Sequence, residues 1–187
     1  LGIALVLWRE DGLTPHPKAY TTLSSIINIL RSFPFIILMI LLFPLSRFLV
    51  GTTIGTTATI VPLAIGAAPF VARVVEGALL EVDPGIIEAV SAMGTPIKDI
   101  VFKVLIPEAM PSLALGASLT IINIIGYSAM AGAIGGGGLG DLAIRYGFHR
   151  FQTDVMIAAV IVIVILVQGV QSLGQFTSKK ILSIRGF

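Results

Sequence analysis

The residue pattern in this chain that most suggests chemistry is a cluster of glycines. Gly135, Gly137 and Gly140 have the G-x-G-x-x-G spacing of dinucleotide-binding loops, and Asp154 follows at a plausible distance for a ribose contact. That spacing is informative only between a β-strand and a helix, whereas here it follows a long apolar segment. A second stretch, GTTIGTT at residues 51–57, lacks the lysine of a phosphate-binding loop. The sequence therefore predicts no nucleotide site on this chain.

The histidines and carboxylates do not form a pattern typical of a catalytic or metal site. The chain has two histidines and no cysteine. His16 and His149 fall on opposite sides of the membrane in the topology derived below, so they cannot share a metal ion. No Ser/His/Asp set and no pair of carboxylates is placed together convincingly. We therefore predict a protein that is not an enzyme and carries no cofactor.

One charged pair is predicted inside an apolar segment. Arg73 and Glu76 are spaced i, i+3, so they share a helix face near the end of that segment. A charge inside a bilayer is costly, and it is usually paired or faces a water-filled cavity. Two interpretations stay open: a structural ion pair, with or without snorkelling to the membrane surface, or a role in gating and coupling.

The composition predicts the framework that positions these residues, a helix bundle in a membrane. Hydrophobic residues make up 56% of the 187 residues and charged residues 12%, and the mean hydropathy is +1.01. Soluble domains usually carry about 25% charged residues. The net charge of +2 is too small to indicate a nucleic-acid partner. We therefore predict an all-α, polytopic bundle in the lipid bilayer.

The apolar runs divide the chain into four full membrane segments and one partial segment. The apolar start is too short to cross, because a helix needs about 20 residues to span the hydrocarbon core. We therefore expect the chain to begin partway through a first span. The predicted divisions are 1–8 (remnant of that span), 20–50 (amphipathic helix and span), 55–82 (span), 83–107 (polar segment), 108–134 (span) and 153–175 (span). Within 20–50, the span is expected from Phe33 to Val50, and because this stretch is short it is expected to borrow length from the amphipathic helix before it.

The distribution of lysine and arginine predicts the orientation. One side of the predicted topology holds Arg9, Lys18, Arg31, Lys98, Lys103, Lys179, Lys180 and Arg185, and the other side holds Arg47, Arg145 and Arg150. Basic residues in short loops are enriched on the cytoplasmic side of a membrane. The polar segment 83–107 is therefore predicted to face the cytoplasm.

That polar segment has the signals of two short helices. Asp83 and Pro84 are typical of an N-cap and a first helical residue, and Gly94 is typical of a helix end. A second helix is predicted from Thr95-Pro96 onward, with one apolar face formed by Ile97, Ile100, Val101 and Val104. The segment either turns the chain at the membrane surface or serves as a docking knob.

A second candidate site ends the span before the glycine cluster. Its residues are Gly126, Tyr127, Ser128 and Met130. Small residues leave room and methionine adapts its shape, so they suit the wall of a substrate path or gate. The same residue types also suit a packing seam between membrane helices. The sequence leaves both interpretations open.

The polar segment resembles the EAA loop of ATP-binding-cassette importer permeases, whose pattern is E-A-A-x3-G-x9-I-x-L-P. The matching residues are Glu88, Ala89, Gly94, Val104 and Ile106 followed by Pro107, while Val90 stands where a third small residue is usual. We call residues 83–107 the EAA-like segment. The stretches RSFPFIILMILLFPLSR, PLAIGAAPFVARVVEGALLEVDPGIIEAVSAMG and GYSAMAGAIGGGGLG are similar to the bacterial methionine-importer permeases. With the intervening segments they cover nearly the whole chain.

The resemblance implies a fold, partners and a location. The fold would be a type I ABC importer transmembrane domain, a single permease domain over residues 1–187 with five spans in the family and the first truncated here. The partners would be a second permease subunit, two copies of a cytoplasmic ATPase and a periplasmic or lipid-anchored methionine-binding protein. The location would be the bacterial inner membrane. Glu88, Ala89, Gly94, Val104 and Pro107 would be the ATPase-coupling residues.

The implied function is the transport of methionine, of the L- and D-forms, with ATP hydrolysed by the separate ATPase. Another amino acid or a small polar solute is the first alternative substrate. A secondary transporter that works without an ATPase is the alternative from a different class, and it leaves the EAA-like segment unexplained.

Overall fold

The computed structural model describes residues 1–184, so Arg185, one of the basic residues of the predicted cytoplasmic set, lies outside the described part. Residues 1–184 contain helices and turns but no β-strand, which confirms the predicted all-α fold. The elements are α1 (Gly2–Trp8), α2 (Pro17–Ser32), α3 (Phe35–Leu41), α4 (Phe43–Val50), α5 (Thr56–Leu80), α6 (Pro84–Ala92), α7 (Ile97–Asp99), a π-helical turn (Ile100–Leu105), α8 (Ile106–Glu108), α9 (Met110–Gly132), α10 (Gly138–Asp141), a second π-helical turn (Leu142–Phe148) and α11 (Thr153–Ile184).

Three of the described helices are long and apolar enough to cross a membrane by themselves. They are α5, α9 and the Thr153–Ser183 part of α11, with mean hydropathies of 1.8, 1.6 and 2.5 in their apolar windows. Helix α9 lies between α5 and α11 and contacts both. Gly116 of α9 lies against Val74 of α5, and Gly174 of α11 lies against Ser118 of α9. Small residues at such crossings let helix backbones approach closely in a membrane.

The stretch from Phe33 to Val50 is interrupted and does not form one continuous helix. Helices α2 and α3 meet at a bend of 102°, and α3 ends at Leu41 before α4 begins at Phe43. Phe33 is extended because a residue before proline is disfavoured in the helical conformation, and Pro34 follows it. Pro44, in the first turn of α4, suits the start of a new helix. Together α2 and α3 are long and apolar enough for one more span, so the bent pair fits either a broken span or a re-entrant loop.

The bundle has a small interior and a large apolar exterior. The three buried clusters among the described residues are Leu5, Ile27 and Ala72; Phe35, Met39 and Ala131; and Leu79, Leu105 and Ala109. Most large apolar side chains of α11 are exposed, as a helix facing lipid or another subunit requires. In the third cluster, Leu105 of the EAA-like segment packs against Leu79 near the end of α5 and Ala109 at the start of α9.

Candidate functional site

The first half of the EAA-like segment is a capped helix followed by a left-handed glycine. Asp83 accepts a hydrogen bond at Oδ1 from the backbone N–H of Gly85 at 2.8 Å, which confirms the predicted N-cap of α6. Helix α6 ends at Ala92, and Gly94 has a φ of +75°. A Cβ atom at Gly94 would have no neighbour within 4 Å in this chain. The turn therefore ends the helix at an open surface.

The second half of the segment differs from the regular helix that was predicted. Helix α7 continues into a π-helical turn, in which backbone hydrogen bonds join residues five apart. Ile100 and Val101 are buried as predicted, and Leu105 is buried as well. Ile97, expected on the buried face, is 41% exposed. The predicted face was partly wrong because it assumed the α-helical period of 3.6 residues.

The EAA-matched residues divide into an outer and an inner set. The outer set, which is exposed, consists of Glu88, Ala89 and Gly94, and the inner set, which is half-buried, consists of Val104 and Pro107. Exposed apolar side chains accompany the outer set along the chain: Ile86, Met93, Ile97 and Phe102. Met93 is 73% exposed and Phe102 60%. We call the outer set with these four side chains the knob surface. An apolar patch of this kind is typical of a protein interaction site.

Glu88 also borders a cavity that the sequence analysis missed. The cavity has a volume of about 260 Å³ and lies between α6 and the loop after α1, where Arg9 and Asp11 line it. Arg9 donates a hydrogen bond from Nε to Oδ1 of Asp11 at 2.9 Å, and this bond lowers the pKa of Asp11. No local signal could have found this arrangement, because Arg9 and Glu88 are far apart in the sequence.

Arg73 is the centre of a polar network between α5 and α2. Its Nη1 lies 2.6 Å from Oε2 of Glu76, whose residue is only 5% exposed. Its Nη2 donates to Oγ of Ser24 at 2.6 Å and to Oδ1 of Asn28 at 2.8 Å. The guanidinium thus has acceptors on two helices, and it holds the polar face of α2 against α5. The i, i+3 spacing predicted contact with Glu76 but carried no information about α2.

Replacing Arg73 by methionine is expected to destabilise the protein by about 3–5 kcal/mol, because Glu76 would remain buried without its partner. The double change Arg73→Met and Glu76→Leu should destabilise it less than Arg73→Met alone, since no unpaired charge is left. Thermal unfolding in detergent measures both. Lys103→Met is the matched control: its pair with Asp99 is 72% exposed at the lysine and 40% at the aspartate, and exposed pairs contribute about 0–1 kcal/mol. Equal losses for Arg73→Met and Lys103→Met would contradict the expectation.

The four candidate path residues do not lie on one surface. The ring of Tyr127 stacks on Phe35 with centroids 4.2 Å apart and planes 3° from parallel, so it packs between α9 and α3. Ser128 faces a groove between α9 and α11. Gly126 and Met130 are exposed and, four residues apart, share a helix face. Tyr127 thus takes the packing role that the sequence left as an alternative.

The family assignment rests on a match over almost the whole chain. Residues 3–181 match the family model described as "Binding-protein-dependent transport system inner membrane component". The chain belongs to this family. It is therefore a multi-pass component of the inner membrane, and α5, α9 and α11 are candidate spans within residues 1–184 by length and composition.

Curated relatives extend this result. A protein of Vibrio cholerae described as "Probable D-methionine transport system permease protein MetI" is 46% identical over 181 residues, covering 97% of this chain and 80% of the relative. The "Methionine import system permease protein MetP" of Bacillus subtilis is 46% identical over 170 residues, covering 91% and 77%. These relatives are permease subunits of transport systems.

Solved structures share the fold. A chain of the structure "Inward facing conformations of the MetNI methionine ABC transporter" superposes with a TM-score of 0.94 at 47% identity, covering 96% of this chain and 83% of that one. A chain of "an amino acid ABC transporter with histidines" superposes with a TM-score of 0.74 at 19% identity, which shows a common fold alone.

Proposed function

We propose that this chain is the permease subunit of an ATP-driven methionine importer. The observation that carries the proposal is the combined match, over 96% of the chain, to the MetNI methionine transporter in sequence and in fold. In the proposed assembly, two copies of the chain enclose one path through the membrane. Two copies of a cytoplasmic ATPase hydrolyse ATP, and an external binding protein delivers the amino acid. The chain itself catalyses no reaction.

The knob surface is the proposed contact with the ATPase. Its exposed apolar side chains would be covered by a groove of that partner. Ala89 has a small side chain and Gly94 has none, so the partner can come close to the backbone at these two positions. The carboxylate of Glu88 can accept charge-assisted hydrogen bonds from the partner. Val104 and Pro107 are half-buried in the second half of the segment. Their proposed role is to support the exposed residues from the side of the helix bundle.

A route from the ATPase contact into the bundle runs through packed side chains. Leu79 near the end of α5, Leu105 of the π-helical turn and Ala109 at the start of α9 form one buried cluster, and Ile87 of α6 packs against it. A displacement of α6 is therefore transferred to the ends of two spans rather than absorbed by a loose loop. ATP must favour one arrangement of these spans over the other, because contact alone shifts no equilibrium.

The proposed path for the amino acid runs along the exposed face of α9. Gly126 and Met130 share that face, and Tyr127 fixes the rotation of the helix through its stacking on Phe35. Arg73 and Glu76 are proposed to act structurally, because the network with α2 satisfies the buried carboxylate. Selectivity for methionine over other amino acids is assigned largely to the external binding protein.

The test is reconstitution of the chain with its ATPase and binding protein in vesicles, followed by uptake of radiolabelled L-methionine, D-methionine and glutamine. We expect methionine uptake that requires ATP and that stops when the ATPase carries an inactivating substitution. Uptake that persists without ATPase activity would instead indicate a secondary transporter. ATP-dependent uptake of glutamine in preference to methionine would refute the substrate and retain the transporter class.

A further inference from the structure

An apolar groove runs along the bundle at the end opposite the EAA-like segment. It lies between α9 and α11 and has a volume of about 370 Å³. Its walls include Ile121 and Ile125 of α9 and Ile163 and Leu166 of α11, and Leu139 of α10 also lines it. Ser128 is the one side chain of the lining that carries a polar group. The groove therefore suits an apolar chain and offers little to a zwitterion.

The length of the groove is similar to the thickness of one membrane leaflet. Ile121 and Ala129, which both line it, are eight residues apart, or about 12 Å along a helix. On the other wall, Ile163 and Leu166 of α11 line it. Half of a hydrocarbon core of about 30 Å has a thickness similar to the length of the α9 wall. The groove is thus long enough for a large part of one acyl chain.

A cationic cluster lies beside the groove. Leu139 lines both the groove and an adjoining cleft that contains Arg145 and Tyr146. The guanidinium of Arg150 lies 4.7 Å from the ring centre of Tyr146 and that of Arg145 lies 5.3 Å from it. Asp141 neutralises Arg145 at 2.5 Å, whereas Arg150 has no ion pair within residues 1–184. Arg150 is therefore a positioned cation without an ion-pair partner in the described part of the chain.

Exposed aromatic side chains mark the same place as a membrane boundary. Phe148 is 65% exposed and Phe151 88% exposed, and both precede the start of the very apolar α11. Phe151 also has a φ of +57°, a conformation that a non-glycine residue rarely adopts. Tyr146, whose ring both arginines contact, is of a residue type that is enriched at the interface between lipid headgroups and acyl chains.

We propose that this site binds an anionic phospholipid, with its phosphate against Arg150 and one acyl chain in the groove. A guanidinium matches the geometry of phosphate oxygens, and its positive charge distinguishes an anionic lipid from a zwitterionic one. The acyl chain covers the isoleucine and leucine walls along the length of the groove. This site goes beyond the proposed transport function and does not depend on it.

The test places a quencher-sensitive probe in the groove. The chain contains no cysteine, so Ile163→Cys gives it a single site for a bimane label, and the same assembly without the substitution supplies the background. The labelled membrane assembly is reconstituted in nanodiscs that contain nitroxide-labelled phosphatidylglycerol or, in parallel, nitroxide-labelled phosphatidylcholine. We expect nitroxide-labelled phosphatidylglycerol to quench the bimane equally well at a mole fraction about fivefold lower than nitroxide-labelled phosphatidylcholine requires. One arginine near a membrane surface contributes about 1 kcal/mol, which corresponds to this factor.

Arg150→Gln should remove this selectivity, whereas Arg47→Gln should retain it. Arg47 is the matched control because it is an exposed arginine that the charge distribution places on the same side of the membrane, in α4 and away from the groove. Equal quenching by the two lipids, or selectivity that survives Arg150→Gln, overturns the proposal. A probe that neither lipid quenches also overturns it, because a second copy of the chain would then cover the groove.

Discussion

Replacing Gly94 by tryptophan is expected to reduce ATP-driven methionine uptake at least tenfold, a change of about 1.4 kcal/mol, while the protein still inserts into the membrane. The structure leaves open space around this residue, so a side chain there meets nothing in the chain itself. The proposed partner would occupy that space, and a bulky side chain would separate it from the knob surface. ATP hydrolysis and uptake, measured together on the same vesicles, would show the loss of coupling.

The control for Gly94→Trp must carry the same backbone strain at another place. Gly51 has a φ of +78° and likewise no neighbour within 4 Å of a Cβ atom, but it ends α4, outside the EAA-like segment. A non-glycine residue in this conformation costs roughly 1–2 kcal/mol at either position. Gly51→Trp should therefore retain most of the uptake. Equal losses would attribute the effect to strain, and unimpaired uptake by Gly94→Trp would refute the docking proposal.

Replacing Gly140 by alanine is expected to destabilise the protein by about 1–3 kcal/mol. A Cβ atom there would lie 2.6 Å from the Cα and 2.7 Å from the carbonyl carbon of Ala129. These are backbone atoms, so no change of rotamer can relieve the overlap, and α10 would have to move away from α9. Thermal unfolding of the detergent-solubilised assembly measures the loss.

Gly169→Ala is the corresponding control for Gly140→Ala. Gly169 lies within α11 and has no neighbour within 4 Å of a Cβ atom. Alanine there should leave stability unchanged or raise it by up to about 1 kcal/mol, because alanine is the better helix former. A melting temperature that falls equally for both variants would mean that the α9–α10 contact is not as close as described.

The glycine cluster shows how a motif can mislead when its spatial context is unknown. Gly135, Gly137 and Gly140 have dinucleotide-loop spacing, yet no β-strand precedes them in the described chain. Gly135 and Gly137 turn the chain with positive φ angles, and Gly140 permits the contact between α10 and α9. The spacing therefore follows from a tight turn and close packing. The sequence predicted no nucleotide site here, because the preceding segment has the composition of a membrane helix.

Local signals were informative where neighbours in the sequence decide the structure. The N-cap at Asp83 and the glycine after α6 depend on hydrogen bonds and φ angles within a few residues, so their residue types sufficed. The period of the second helix did not follow from such signals. Leu105 is buried through contact with Leu79 and Ala109, and that contact accompanies a π-helical turn which the apolar pattern alone could not distinguish from an α-helix.

By itself, the sequence determined the class of molecule: an apolar, all-helical membrane bundle with a polar helical segment between two spans. Composition and short-range patterns suffice for this, because lipid forces every backbone group to bond within its own helix. Only the tertiary structure decided the 102° bend between α2 and α3, the acceptors of Arg73 on α2 and the stacking of Tyr127 on Phe35. Each of these depends on contacts between residues distant in the chain or on the angle between helices, and neither quantity is encoded by the spacing of residues along one helix.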